Sequence, residues 1–232
     1  MNLQLKKILF FLLSSSAFFV NSYIYAQTID ELEQSCNSNI SSSCSMLAKR
    51  YFYGEGVKEN ASKAILLFNK GCDGGDAIGC SILGSLYYEG RGLKKDKSKA
   101  IDFYQKSCVG DNSVGCLNLG VIFHRGNDVK KDLFKAFELY KKSCELGEAL
   151  GCTNLGMLYR DGEGVRKDIS TAVMLFEKGC NEGDSTGCNS LGVLYVKGNG
   201  VMQNTLKAFM LFEKACELND KQGCENYKKL RH

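Results

Sequence analysis

The segment GCDGGDAIGC, residues 71–80, carries Cys72 and Cys80 eight positions apart around a centre of glycine and aspartate. The same C-x7-C spacing returns at Cys36 and Cys44, Cys108 and Cys116, Cys144 and Cys152, Cys180 and Cys188, and Cys216 and Cys224. Each pair lies 36 residues after the one before, and the pairs account for all twelve cysteines. On one continuous helix, positions i and i+8 are about 12 Å apart at a rise of about 1.5 Å per residue. A disulfide holds its Cα atoms within about 7 Å. A turn therefore separates the members of each pair, and the pair joins the last turn of one helix to the first turn of the next. This reading predicts six local bridges, one within each C-x7-C pair, each clamping a helical hairpin.

Working outward from the cysteines, the sequence aligns at the period of 36 without a gap. Leu47, Leu83, Leu119, Leu155 and Leu191 form one column, and Tyr51, Tyr87, Phe123, Tyr159 and Tyr195 another. Ala64, Ala100, Ala136, Ala172 and Ala208 form a third, and Phe68, Tyr104, Tyr140, Phe176 and Phe212 a fourth. Such a period is the signature of a repeat architecture. Each unit reads as two helices. In the unit at 76–111, Cys80, Leu83, Gly84 and Tyr87 recur at i, i+3, i+4 and i+7, one face of a helix, and Gly90 ends it. Asp96 caps a second helix burying Ala100, Phe103, Tyr104 and Cys108, with Asn60, Asp132, Asp168 and Asn204 at the equivalent caps. That helix ends near Asp111, aligned with Gly75, Gly147, Gly183 and Asn219, residue types that accept the left-handed conformation. There is no proline to break a helix. Gly84, Gly120, Gly156 and Gly192 sit mid-helix at a cost of about 1 kcal/mol each. The expected return is a close approach by the alanine column of the second helix.

The fold expected is therefore all-α: a right-handed α/α solenoid of 36-residue helix-turn-helix repeats, clamped by disulfides. Residues 1–26 read as a signal peptide, with Lys6 and Lys7, the apolar run ILFFLLSSSAFFV (8–20) and cleavage after Ala26. The solenoid then occupies 27–232: a partial N-terminal cap (28–39), repeats at about 40–75, 76–111, 112–147, 148–183 and 184–219, and a C-terminal capping helix (220–232). Export to an oxidising compartment, secreted or periplasmic, fits the paired cysteines. Losing Lys6 and Lys7 lowers the formal charge from +4 to +2, which gives no electrostatic case for nucleic acid or an anionic membrane surface. No second apolar stretch is long enough to span a membrane.

The stretches GCSILGSLYYEGRGLKKDKSKAIDFYQKSC (79–108) and GCTNLGMLYRDGEGVRKDISTAVMLFEKGC (151–180) resemble Sel-like repeats. With the leader and a C-x7-C in every unit, the chain resembles the secreted Helicobacter cysteine-rich protein family. The resemblance implies a tetratricopeptide-like solenoid, an exported protein met by the host immune system, and penicillin binding or weak β-lactam hydrolysis. It also implies an adaptor role. The loop HRGNDV (124–129) departs from the pattern, because Asp128 stands where the other units carry glycine.

The residues themselves offer little chemistry. A serine β-lactamase needs S-x-x-K, S-D-N and K-T-G, and none occurs. The two histidines, His124 and His232, cannot build a zinc hydrolase site, and no cofactor or metal is expected. His124 reads as a solvent-facing residue at a helix end. The glycine loops lack the lysine and threonine of a phosphate-binding loop and read as turns. The concave face is the better candidate site. Off the buried stripe of the first helices lie three columns: Ile82, Asn118, Asn154 and Ser190; Ser85, Val121, Met157 and Val193; Glu89, Arg125, Asp161 and Lys197. They vary between repeats where the packing columns do not. Asn118, Asn154, Arg125, Asp161, Ser190 and Lys197 are the candidate ligand residues, the two asparagines each offering donor and acceptor. The expected function is that of an exported monomer binding a peptide, a cell-wall fragment or a protein ligand at the host surface or the cell envelope. The alternative is a β-lactamase, or β-lactam binding without turnover.

Overall fold

The computed structural model describes residues 27–231; the signal peptide expected over 1–26 lies outside the described residues. These residues form twelve helices: α1 (Ile29–Asn37), α2 (Ser41–Tyr53), α3 (Ala61–Asp73), α4 (Ala77–Glu89), α5 (Lys97–Val109), α6 (Ser113–Arg125), α7 (Leu133–Glu145), α8 (Ala149–Asp161), α9 (Ile169–Asn181), α10 (Ser185–Lys197), α11 (Thr205–Glu217) and α12 (Lys221–Leu230). No strand occurs among the described residues. They fall into two compact units, residues 27–74 and residues 75–231. The first holds α1 to α3, with α2 packed on both α1 and α3. The second holds α4 to α12.

Local chemistry sets the helix limits. Asn60, Asp96, Asp132, Asp168 and Asn204 each accept the backbone N–H three residues on, satisfying one of the donors left open at a helix start. The first helices of the hairpins end on left-handed glycines, Gly54, Gly90, Gly126, Gly162 and Gly198. The turn between hairpins is left-handed throughout. Asn39, Asp111 and Asn219 hold φ of 65°, 58° and 66° where other units use glycine. That turn brings the cysteines together. Cys36–Cys44, Cys108–Cys116, Cys144–Cys152, Cys180–Cys188 and Cys216–Cys224 are disulfides with Cα atoms 4.4–4.6 Å apart. Cys72 and Cys80 are also disulfide-bonded, and no cysteine is free.

In the second unit each hairpin (α4/α5, α6/α7, α8/α9, α10/α11) packs on the next. The backbones of α4, α6, α8, α10 and α12 approach their neighbours in that series, whereas α5, α7, α9 and α11 stand further apart and meet one another only through side chains. The first series is thus the inner layer of a curved stack and the second the outer layer. Each core cluster joins one outer helix to the next inner helix: Ala100 and Tyr104 with Leu119 and Ile122, then Ala136 and Tyr140 with Leu155 and Leu158, then Ala172 and Phe176 with Leu191 and Leu194.

The small columns pack differently from the sequence expectation. The partner of each mid-helix glycine is the aromatic column, not the alanine. A Cβ on Gly84, Gly120, Gly156 or Gly192 would lie 2.6–2.9 Å from the ring of Tyr104, Tyr140, Phe176 or Phe212. The alanines are fully buried but face the following repeat. A second close-packed column surrounds the disulfides. Ser107 and Ser143 donate to the carbonyls of Ala77 and Ser113 at 2.7 and 3.0 Å, and the adjacent Gly115 and Gly151 leave room for these hydroxyls. Across the splayed outer layer, Lys142 and Lys178 donate to the carbonyls of Cys108 and Cys144 at 2.7 and 3.0 Å. Each lysine is thereby a second donor to a carbonyl at the end of the preceding outer helix, which also accepts the backbone N–H of Asp111 or Gly147 in the turn.

Candidate functional site

The solvent side of the inner layer is the surface with variable chemistry. Helical spacing puts the three columns named above on one face of each inner helix. In the second unit Asn118, Asn154 and Ser190 lie half-buried at one level of α6, α8 and α10. Val121 and Met157 form the next level and pack at the edges of the core clusters. Arg125, Asp161 and Lys197 are exposed at the last turns. The sequence reading passes over one column. Ile78, Val114 and Leu150, one turn before Ile82, Asn118 and Asn154, remain 49%, 41% and 37% exposed. Their signal is present in the sequence: an apolar residue stands four positions before Ile82, Asn118 and Asn154, though Thr186 takes that place before Ser190, on a face otherwise left to solvent. The face therefore carries an apolar ladder, an amide level, a second apolar level and a charged rim. Amides beside apolar side chains can grip a peptide main chain while its side chains lie on the ladder.

The rim is less uniform than expected. Asp161 is held by its neighbour Arg160, whose Nε and Nη2 donate to its two carboxylate oxygens at 2.8 and 2.6 Å. The Arg160 guanidinium lowers the Asp161 carboxyl below the usual carboxylate range. Asp161 is thus a paired anion, while Arg125 and Lys197 have no ion pair among the described residues.

Two polar clusters tie successive repeats together. His124 is not the solvent-facing residue its position suggests. Its Nε2 lies 2.8 Å from Glu163 Oε2 and its Nδ1 3.3 Å from the Tyr140 hydroxyl. Tyr140 is 1% exposed, and this burial pushes its phenol well up, opposite to what a nucleophile needs. With both ring nitrogens engaged and all cysteines oxidised, the cluster serves as an inter-repeat tie. The second cluster explains the exceptional loop. Asp128 keeps the loop length but is absent from the positive-φ residues, where Gly92, Gly164 and Gly200 hold 70–74°. Its carboxylate side chain, 6% exposed, accepts from the Tyr88 hydroxyl at 2.9 Å and from the Lys97 ammonium. The Lys97 bond lowers the Asp128 carboxyl and the Tyr88 bond reinforces this, against the opposing effect of burial.

Among the described residues, no group of three or more histidine, cysteine, aspartate or glutamate side chains could hold a metal ion. No described helix is long and apolar enough to cross a membrane.

Repeats of capped hairpins, with glycines under aromatic rings and one variable inner face, define a helical repeat scaffold for interaction. The Sel1 repeat model matches residues 41–76, 77–108, 113–148, 149–184 and 185–220. The chain belongs to the Sel1 repeat family. Among solved structures it is similar to c5321, a protective antigen of uropathogenic Escherichia coli with an SLR fold: 26% identity, TM-score 0.81, 88% of this chain and 44% of that one. The chain thus spans less than half the length of that protein. A Sel1 repeat protein from Oxalobacter formigenes aligns with TM-score 0.75 and 24% identity over 84% of this chain and 86% of that one. Helicobacter pylori cysteine rich protein B is 35% identical over 60% of this chain and 99% of its own, with TM-score 0.47. Comparison with curated proteins gives no match.

Proposed function

We propose that the protein is an exported binding scaffold whose inner face in the second unit holds an extended peptide. The peptide is a segment of a partner protein or the stem peptide of a cell wall. The observation that carries this reading is the half-buried amide level of Asn118 and Asn154 set between the exposed ladder of Ile78, Val114 and Leu150 and the level of Val121 and Met157. The rim supplies unpaired cations at Arg125 and Lys197 for a peptide carboxylate. Ser190 extends the amide level toward α12. The disulfides and the leader together support a place outside the cytoplasm, periplasmic or secreted.

β-Lactams carry the same amides and carboxylate, so any affinity for them belongs to this face, as binding without turnover. The experiment is capture by oxidised protein from periplasmic extract and host fluid, run in parallel with Asn118→Ala/Asn154→Ala. A partner retained by the parent and lost by the double variant supports the reading. Equal retention by both sinks it.

A further inference from the structure

The charges of the second unit are unevenly placed. The four segments that join inner to outer helices, 89–99, 125–135, 161–171 and 197–207, hold thirteen lysines and arginines against seven acids, whereas the four segments around the cysteine pairs, 106–116, 142–152, 178–188 and 214–224, hold five against seven. The joining segments form one continuous edge. Asp128 reaches back to Tyr88 and Lys97, Glu163 reaches back to His124, and a Cβ on Gly164 or Gly200 would collide with Leu133 or Ile169 of the preceding repeat. Every acid on this edge is committed within the protein. Asp96, Asp132 and Asp168 cap their helices, Asp128 is buried against Lys97 and Tyr88, Glu163 binds His124, Asp161 binds Arg160, and Glu89 faces Arg91 at 3.7 Å. Lys94, Lys95, Lys99, Lys130, Arg166 and Lys167 are exposed and have no ion pair among the described residues. The field that leaves this edge is therefore cationic, although the chain's net charge is small.

Apolar side chains stand among these cations. Met202 takes the place that Lys94, Lys130 and Arg166 hold in the other hairpins and is 89% exposed. Leu206 and Phe134, at matching positions in the first turns of α11 and α7, are 72% and 66% exposed. A cavity of 810 Å³ opens on the same edge, lined by Lys130, Lys131 and Lys135 with Phe123, Val129, Leu133 and the capping Asp132. Lys131 and Lys135 lie 4.0 and 3.6 Å from Glu163 and Asp132, while Lys130 is unpaired. A soluble polyanion would engage the cations and leave the apolar tips in water. A bilayer containing anionic lipid engages both, because its phosphates meet the ammonium groups while the apolar tips enter the boundary between headgroups and acyl chains. We propose that this edge docks the protein on a membrane surface rich in anionic phospholipid, so that it lies on the bilayer without crossing it. The cavity gives one headgroup phosphate a seat among three lysines. The inference uses no residue of the amide or ladder levels, and it stands whether or not the inner face binds a peptide.

The probe is a vesicle of equimolar phosphatidylcholine and phosphatidylglycerol, with phosphatidylcholine alone as the neutral comparison. Oxidised protein, as exported, is mixed with each and sedimented. The expected result is binding to the anionic vesicles that fades with added salt, and none to the neutral ones. Lys130→Gln/Arg166→Gln, exposed changes that leave folding intact, weaken binding on the order of thirty-fold, about five-fold for each cation at the surface. Lys141→Gln/Lys221→Gln, the same loss of charge away from this edge, and Asn118→Ala/Asn154→Ala leave it unchanged. Parent and variants share one N-terminus, so a difference between them belongs to the edge. The chain has no tryptophan, so Phe134→Trp reports insertion: its emission moves to shorter wavelength on anionic vesicles and stays in place with soluble polyphosphate. Equal binding to both vesicles, or an equal loss from the two lysine-depleted variants, overturns the proposal. So does an unmoved tryptophan on anionic vesicles beside tight binding of polyphosphate, because the edge then serves a soluble polyanion.

Discussion

Gly120→Ala sets helix propensity against packing. Mid-helix, alanine is favoured over glycine by about 1 kcal/mol, so propensity alone makes the variant more stable. The structure gives the opposite sign. A Cβ at this position meets Cδ1 and Cε1 of Tyr140 at 2.8 Å and the Leu139 Cβ at 3.4 Å. Tyr140 is fully buried, so its ring can retreat only by displacing the cluster of Leu155 and Leu158 beyond it. Overpacking of this kind costs about 1–3 kcal/mol. The net effect is a loss of up to about 2 kcal/mol, and Gly120→Leu loses more. For a chain of about 150–250 residues, 1 kcal/mol moves Tm by about 2–4 °C, so the alanine variant melts up to about 8 °C below the parent. The assay is thermal unfolding of oxidised protein by circular dichroism. A Tyr140→Leu background supplies the control, because removing the ring turns Gly120→Ala neutral or stabilising, with a coupling of about 0.5–3 kcal/mol. An alanine variant that melts higher than the parent, or no coupling to Tyr140, refutes the ring-on-glycine packing.

Other perturbations test the joints between repeats. The Asp128 carboxyl is lowered in the folded state by Lys97 and Tyr88. Its stabilisation is therefore fully present above the ordinary aspartate value of about 3.9 and is lost as pH falls through the lower folded value. Asp128→Asn removes that dependence, so parent and variant differ in Tm near neutrality and converge in acid; a constant difference at all pH values contradicts the tie. Lys142→Met removes the bonds to the Cys108 carbonyl and Asp111. With the ammonium partly exposed, the loss is about 1 kcal/mol, read as a lower urea midpoint. Non-reducing peptide mapping finds each cysteine linked only to its partner eight residues away, and a link between different pairs contradicts the hairpin junctions. Nitrocefin is not turned over by highly purified oxidised protein, since His124 is engaged at both nitrogens and no thiol is free. Turnover that persists through purification and collapses with Arg125→Ala or Asn154→Ala makes the enzyme reading the better one.

The hairpins are legible in the sequence because their determinants are local. A cap, a left-handed turn and a cysteine pair each act within about ten residues and recur at a fixed period. The partner across a glycine is not local. Alanine and aromatic columns lie four residues apart on the same helix face, and only the rotation of one helix on the next decides which meets Gly120. Asp128 is visible as an exception in the repeat, but its partners Tyr88 and Lys97 belong to the preceding unit, up to 40 residues away. His124 looks unengaged for the same reason, because Glu163 reaches it from the following loop. At the candidate site the columns of Asn118, Asn154, Arg125 and Lys197 follow from helical spacing. The pairing of Asp161 with Arg160 depends on the Arg160 rotamer, which spacing does not give. The Ile78, Val114 and Leu150 ladder is written at the same spacing, yet apolar residues at a helix start read as core until their exposure is known.

The most direct measurement is the affinity of the inner face for a defined extended peptide. A peptide selected from a displayed library on oxidised protein is labelled and titrated by fluorescence anisotropy. The titration is repeated with Asn118→Ala/Asn154→Ala and with Glu138→Ala on the outer helix α7. Each amide pairing is worth about 0.5–1.5 kcal/mol, so the double variant binds on the order of ten-fold more weakly and Glu138→Ala binds as the parent does. A peptide whose affinity ignores both asparagines, or falls only with the outer-face variant, contradicts binding on the inner face.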